Sequence, residues 1–149
     1  MIHRGGAYAL RALLAMAEAP ERWRSVAHLA AEQGLPEPML EQLLLRLRRA
    51  GLLEARRGRH GGYRLSRPAA AIPVGAVLAA VATGGGGEPP NAPDAATVSE
   101  PAARVVVVLE QRLQAAVRRE LAQISLEELR FDLVSTRAGG SEAGGVMLG

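Results

Sequence analysis

The chain has 149 residues, 48% hydrophobic and only 3% aromatic, which allows one domain with an appended element and a core of Leu, Val and Ala. It contains no Cys, so disulfides, thiolate catalysis and cysteine-ligated metal centres are excluded. The net charge of +3 is uneven: residues 1–67 hold 12 Arg against 6 Glu, and residues 68–149 hold 6 Arg against 9 Asp or Glu. The first half is therefore where a polyanion would dock. All 18 basic residues are Arg, which suits phosphate binding, although a GC-rich genome is the simpler cause.

The first predicted helix spans roughly Gly6 to Glu18. Arg11 interrupts its apolar run, and Leu10, Leu13, Leu14 and Ala17 form an amphipathic stripe. It therefore reads as a core helix of a cytoplasmic protein, not as a signal peptide. No apolar stretch approaches the ~20 residues of a membrane span. Trp23, alone in the next loop, is expected to plug one side of the core. Ser25 is a suitable N-cap for a second helix in which Val26, Leu29 and Ala30 face inward. Gly34 closes that helix, and Gly34-Leu35-Pro36 forms the turn of a helix-turn-helix.

The third helix runs from Glu37 to Ala50. Leu40, Leu43, Leu44 and Leu47 follow the spacing of a buried stripe. On the opposite side lie Pro38, Gln42, Leu45 and Arg49, flanked by Met39 and Arg46. An outward first turn and a basic later turn suit a helix laid in the major groove of DNA. Gln42 can hold an adenine edge, and Met39 can touch a thymine methyl. Glu41 can accept from cytosine or serve as a local partner for an Arg. Arg46, Arg48 and Arg49 suit phosphates, with a solvated face as the alternative for Arg48.

Gly51 ends the helix, and a hairpin follows. One strand is expected over Leu52–Arg57 and the other over Gly62–Ser66, joined by a basic tip that contains Gly58, Arg59 and His60. Arg57 and Arg59 can enter an adjacent minor groove, whereas His60 reads as a loop residue. His3, His28 and His60 have no metal-ligand spacing. The pattern as a whole predicts a mainly α, winged helix-turn-helix fold with a long C-terminal dimerisation helix.

A fourth helix is expected from Ile72 to Ala82. Gly84 to Gly87, followed by Pro89, Pro90 and Pro93, cannot form a regular element, so a mobile loop is expected from Thr83 to Ser99. A long helix then runs from Glu100 to Gln123. Val106, Leu109, Leu113, Val117, Leu121 and Ile124 mark a seam expected to bury against a second copy; packing back onto the same domain is the alternative. Ser125-Leu126-Glu127-Glu128 is a capping box that starts a short helix ending near Leu133, and from Arg137 onward the chain reads as a loose tail. The expected segments are thus a DNA-binding domain at 1–83, a flexible loop at 84–99, a dimerisation and short terminal helix at 100–133, and a tail at 134–149.

Several motifs resemble a known family. These are Tyr8-Ala9-Leu10, Leu40-Glu41-Gln42, Leu47-Arg48-Arg49-Ala50-Gly51-Leu52, Arg57-Gly58 with Gly61-Gly62-Tyr63, and Ile124-Ser125-Leu126 with Leu129. Over residues 3–133 the chain is similar to the Rrf2 family, which includes the IscR, NsrR and CymR regulators. The resemblance implies a homodimer with a winged helix-turn-helix at each end and long crossing helices between. Many relatives hold a [2Fe–2S] cluster with three Cys, but here Asn91 to Arg104 contains none and Arg104 stands about where the third would fall. The wing tip reads Arg59-His60 in place of the family's Pro-Gly, and Pro36 and Pro38 replace small hydroxyl residues.

The expected function is a sequence-specific, homodimeric transcriptional regulator, a repressor, without cofactor or cluster. Its partner is double-stranded DNA with a pseudo-palindromic operator whose half-sites lie about 34 Å apart or a multiple of that. A protein or small-molecule effector stays open as its signal. The alternative is a protein-binding adaptor that kept the fold but does not read DNA. An enzyme is not expected, because the sequence has no nucleophile–base constellation and no phosphate-cradling Gly motif.

Overall fold

The computed structural model describes residues 2–82 and 94–147, with side chains as far as residue 140. Three helices come first: α1 (Arg4–Glu18), α2 (Val26–Gln33) and α3 (Glu37–Arg49). The hairpin of β1 (Leu53–Arg56) and β2 (Gly62–Leu65) follows. Then come α4 (Val74–Val81), α5 (Pro101–Gln123) and α6 (Leu126–Met147). This is a mainly α winged helix-turn-helix.

The leucine stripe of α3 anchors the core. Leu40, Leu43, Leu44 and Leu47 are all buried, together with Leu13 and Met16 of α1, Leu29 of α2, and Val77 and Val81 of α4. Each such side chain contributes roughly 1.5–3 kcal/mol by leaving water. Local signals place the helices. His3 Nδ1 accepts from the Gly6 N–H at 3.3 Å and starts α1, and Ser25 Oγ accepts from the His28 N–H at 3.1 Å and starts α2. Gly34, with φ of 64°, ends α2 in the left-handed region. The next residue, Leu35, returns its N–H to the Ala30 carbonyl at 2.9 Å and buries its side chain. Pro36 precedes α3 without a side-chain cap, so the entry of α3 relies on this turn.

The wing strands pair antiparallel, with Leu53 opposite Leu65 and Ala55 opposite Tyr63. A further backbone bridge ties the wing to the loop before α2. The Arg24 N–H donates to the Tyr63 carbonyl and the Tyr63 N–H to the Arg24 carbonyl, each at 2.8 Å. This close approach requires Gly62, and the turn of the wing just before it requires Gly61. A Cβ on Gly62, whose φ is 140°, would collide with the Arg24 carbonyl, and one on Gly61 would collide with the Arg56 carbonyl.

Residues 83–93, most of the expected mobile loop, lie outside the described residues. Residues 94–99, its last part, are described. Asp94 caps a single 3-10 turn over Ala95–Thr97, and the Glu100 carboxylate accepts from the Ala102 and Ala103 N–H groups to start α5.

The elbow between α5 and α6 belongs to the first core. The Val74 N–H donates to the Ile124 carbonyl and the Leu126 N–H to the Ile72 carbonyl, both at 2.8 Å, and the Leu126 side chain is fully buried. Gly75 lets α5 come close, since a Cβ there would lie 3.2 Å from Leu121 Cβ. Leu121 and Ile124, expected in the seam for a second copy, therefore pack against their own domain's core. The segment 100–133 is thus not separate from the winged domain.

The end of the chain also differs from expectation. The capping box forms, with the Ser125 N–H on Glu128 Oε2 at 3.1 Å and the Glu128 N–H on Ser125 Oγ at 3.2 Å. The helix it starts does not stop near Leu133 but continues to Met147 as α6. Good helix formers, Leu126 to Arg130, fill its first turn and more, and extending an anchored helix needs no new nucleus. Arg130 hydrogen-bonds the Glu127 carboxylate and holds it below the usual carboxylate range, while Arg137 pairs with Glu18 of α1. Gly139 and Gly140 then weaken the helix by only about 1 kcal/mol each relative to Ala.

Two substitutions test this description. Gly62→Ala should lower the unfolding free energy by on the order of 1–3 kcal/mol, read as a lower urea midpoint. Gly139→Pro should reduce far-ultraviolet helical ellipticity; an unchanged spectrum would mean that the chain is not helical there.

Candidate nucleic-acid interface

The outward face of α3 carries Pro38, Glu41, Gln42 and Arg49, all exposed, with Leu45 half-buried between them. The acidic Glu37 in the first turn and the basic Arg48 and Arg49 in the last both complement the helix dipole. Among the described residues Glu41 makes no ion pair, so its carboxylate is not consumed by a local Arg. Met39 and Arg46, seven residues apart, share one edge of the helix. Met39 is partly buried against the core. Arg46 is half-buried and donates to the Val81 carbonyl at 3.4 Å, covering an unpaired group at the end of α4. Of the three Arg assigned to phosphates from the sequence, Arg46 is thus the one committed inside the protein.

The wing sorts its arginines in the same way. Arg64 pairs with the cross-strand Glu54 and lies over the Trp23 ring at 4.2 Å. Arg56 lies over the same ring at 5.8 Å. Trp23 therefore does not plug the core, as the sequence reading expected; it is half-buried beneath the wing and is held by two guanidinium groups. Arg57, Gly58, Arg59 and His60 form the exposed tip. Arg57 and Arg59, like Arg48 and Arg49 of α3, make no ion pair among the described residues.

A cleft of about 340 Å³ lies between this tip and the start of α2, lined by Arg22, Trp23, Arg24, Ser25, His28, Arg59, His60 and Gly61. Arg24 is buried; it donates to the Ala15 carbonyl at 3.2 Å and pairs with Glu32. Arg22 and His28 were not singled out from the sequence. The signal that points to them is the Arg22-Trp23-Arg24 run directly before the Ser25 cap, in a segment the wing folds onto.

The seam residues of α5 divide into two groups. Val106, Leu109 and Leu113 are 62%, 52% and 58% exposed, and Val105 and Val108 beside them are also exposed. Val117 is half-buried, and Leu121 and Ile124 face the core. Arg104, placed about where relatives have a third Cys, donates through Nε and Nη2 to the Val98 carbonyl at 3.1 and 3.0 Å and ties the entry of α5 to the preceding turn. With no Cys in the chain, and no cluster of three metal-ligating side chains among the described residues, the donor set does not fit an iron–sulfur cluster. No helix among the described residues is long and apolar enough to cross a membrane.

Two single substitutions check these assignments. Arg46→Ala should destabilise the fold by about 1 kcal/mol in urea unfolding through loss of the Val81 contact. Arg64→Ala should shift the emission of Trp23, the chain's single Trp; unchanged emission would contradict the stacked arrangement.

Comparison with known proteins agrees with this geometry. The family described as Rrf2, iron-dependent transcriptional regulator, matches residues 2–132. The HTH-type transcriptional regulator IscR of Cereibacter sphaeroides is 46% identical over 79 residues, which is 51% of each chain. The chain thus spans about half the length of the curated relatives it matches. T. potens IscR superposes with a TM-score of 0.70 at 28% identity, covering 89% of this chain and 88% of that one. CymR, the global cysteine regulator of B. subtilis, superposes with a TM-score of 0.67 at 32% identity, covering 87% and 95%. The chain belongs to the Rrf2 family of winged-helix transcriptional regulators, which are not enzymes.

Proposed function

We propose that this protein is a sequence-specific DNA-binding repressor that acts in the cytoplasm as a homodimer and needs no iron–sulfur cluster. One observation carries the reading. The exposed Glu41, Gln42 and Arg49 of α3 and the exposed Arg57 and Arg59 of the wing are unpaired among the described residues, on elements whose relative position the Arg24–Tyr63 bridge holds. In the major groove Gln42 holds an adenine edge and Glu41 accepts from cytosine, with the exposed Pro38 beside them at the first turn. Arg49 takes a phosphate and Arg57 reaches the adjacent minor groove, with Arg59, beyond Gly58, at the phosphate edge of that groove.

The exposed half of α5 supports a dimer. Val106, Leu109 and Leu113 form an apolar strip too long to leave in water. Two copies joined there would present two α3 helices to a pseudo-palindromic operator. The domain division follows from this use: residues 1–82 with the elbow at 121–129 read DNA, and the outer half of α5 joins the copies.

A second reading, a protein-binding module that no longer reads DNA, draws on another feature. Ile124, Leu129 and Phe131 line an apolar pocket of about 580 Å³ rimmed by Glu127, Glu128 and Asp132. The same pocket would take a protein or small-molecule effector in the first reading.

Gel shifts with promoter duplexes over a salt series separate the two readings. Under the first, each phosphate neutralised adds about 0.9 to the slope of log affinity against log salt. Arg57→Ala then weakens binding to all sequences, and Gln42→Ala also relaxes sequence preference. Leu109→Glu with Leu113→Glu should give a monomer in sedimentation and lose operator affinity. Full wild-type affinity and preference in both Arg57→Ala and Gln42→Ala would overturn the assignment of this face.

A further inference from the structure

We infer that the cleft between the wing tip and the start of α2 is a phosphate-backbone clamp, in which Arg22, Ser25 and His28 act with Arg59 and His60 on one phosphate of the DNA strand. The inference deepens the DNA-binding reading and rests on it. It extends the contact surface to a segment, residues 22–28, that neither α3 nor the wing supplies.

Three independent features converge on the cleft. The first is charge. Arg22 and Arg59 enter from opposite walls, one from the loop after α1 and one from the wing, and both are exposed. Neither makes an ion pair among the described residues. Glu32 Oε2 is engaged on the α2 side, where it pairs with the buried Arg24 and lies 3.3 Å from His28 Nε2. The cleft thus keeps two free guanidinium groups, the residue type whose donor fork fits phosphate oxygens.

The second feature is hydrogen-bonding capacity of suitable geometry. His60 lines the same cleft and its imidazole offers an N–H donor whether neutral or charged; His28 lines it too, with Nε2 beside Glu32 and Nδ1 able to donate when the ring is charged. The Ser25 hydroxyl stands at the N-terminus of α2, where first-turn N–H groups have no intrahelical partner and the helix dipole favours an anion. The third feature is rigidity. The Arg24–Tyr63 backbone bridge ties the Arg24 segment to the wing, and Trp23 is fixed under Arg56 and Arg64, so the two walls hold their spacing without DNA. A volume of about 340 Å³ has room for a phosphate with its sugar flanks. The cleft adjoins the exposed wing tip that carries Arg57, which makes a backbone phosphate of the same duplex the fitting occupant in preference to a free ion.

The test uses the full chain and a duplex selected by the protein from a random library. In salt titrations Arg22→Ala should lower the magnitude of the log–log slope by about 1 and weaken binding equally for preferred and scrambled sequences. In proton spectra the duplex should move the imidazole signals of His28 and His60 and leave those of His3, which caps α1, in place. A wild-type chain that binds the duplex and loses preference in Gln42→Ala, yet shows an unchanged slope in Arg22→Ala and unmoved His28 and His60 signals, would overturn the clamp and leave the reading face intact. Signals that respond to millimolar inorganic phosphate in a chain that binds no duplex would overturn both the clamp and the DNA-binding reading, and would assign the cleft to a free anion.

Discussion

Two backbone hydrogen bonds between Arg24 and Tyr63 set the geometry on which the nucleic-acid face depends. They belong neither to the helix core nor to the hairpin ladder. They join the two, so the wing cannot swing independently of the helix-turn-helix. Three residue choices protect them. Gly62 leaves room for the approach, and the buried Arg24 spends its guanidinium on the Ala15 carbonyl and Glu32 instead of on solvent. The Trp23 ring under Arg56 and Arg64 closes the outer side. The cationic groups left over, on α3, the wing tip and the loop before α2, then sit on a fixed frame. A polyanion that binds them does not first have to order them.

The second constraint is the elbow after α5. The mutual hydrogen bonds between residues 72–74 and 124–126, with Leu126 fully buried, make the far end of the long helix part of the winged core. The outer half of α5 is therefore a rigid projection with an apolar strip. A dimer joined through such a strip holds its two reading helices at one spacing, the property a pseudo-palindromic operator demands.

Much of this was legible in the sequence. The Leu40-Leu43-Leu44-Leu47 stripe, the Ser25 cap, the Gly34 turn and the Ser125–Glu128 box are local signals, and the structure forms each of them. What misled was the tertiary assignment of residues with two chemical uses. Trp23 looked like a core residue because it is large and apolar, but a ring between two arginines fits the underside of a basic wing. Arg46 looked like a phosphate ligand because it shares a helix with Arg48 and Arg49, yet it shares an edge with Met39 and turns inward. Leu121 and Ile124 continue the periodicity of the α5 seam, and periodicity alone does not reveal where along a helix the partner changes. The tail looked loose on Gly content, although helix already propagating from Leu126 absorbs that penalty.

If α3 and the wing engage one ligand as a unit, hydrogen exchange of the full chain, with and without a duplex it selects, reads it most directly. Duplex should slow exchange together in the backbone of residues 37–49 and 57–63, with the outer half of α5 unchanged between the two states. Protection of α3 without the wing, or of α5 and α6 alone, would contradict it.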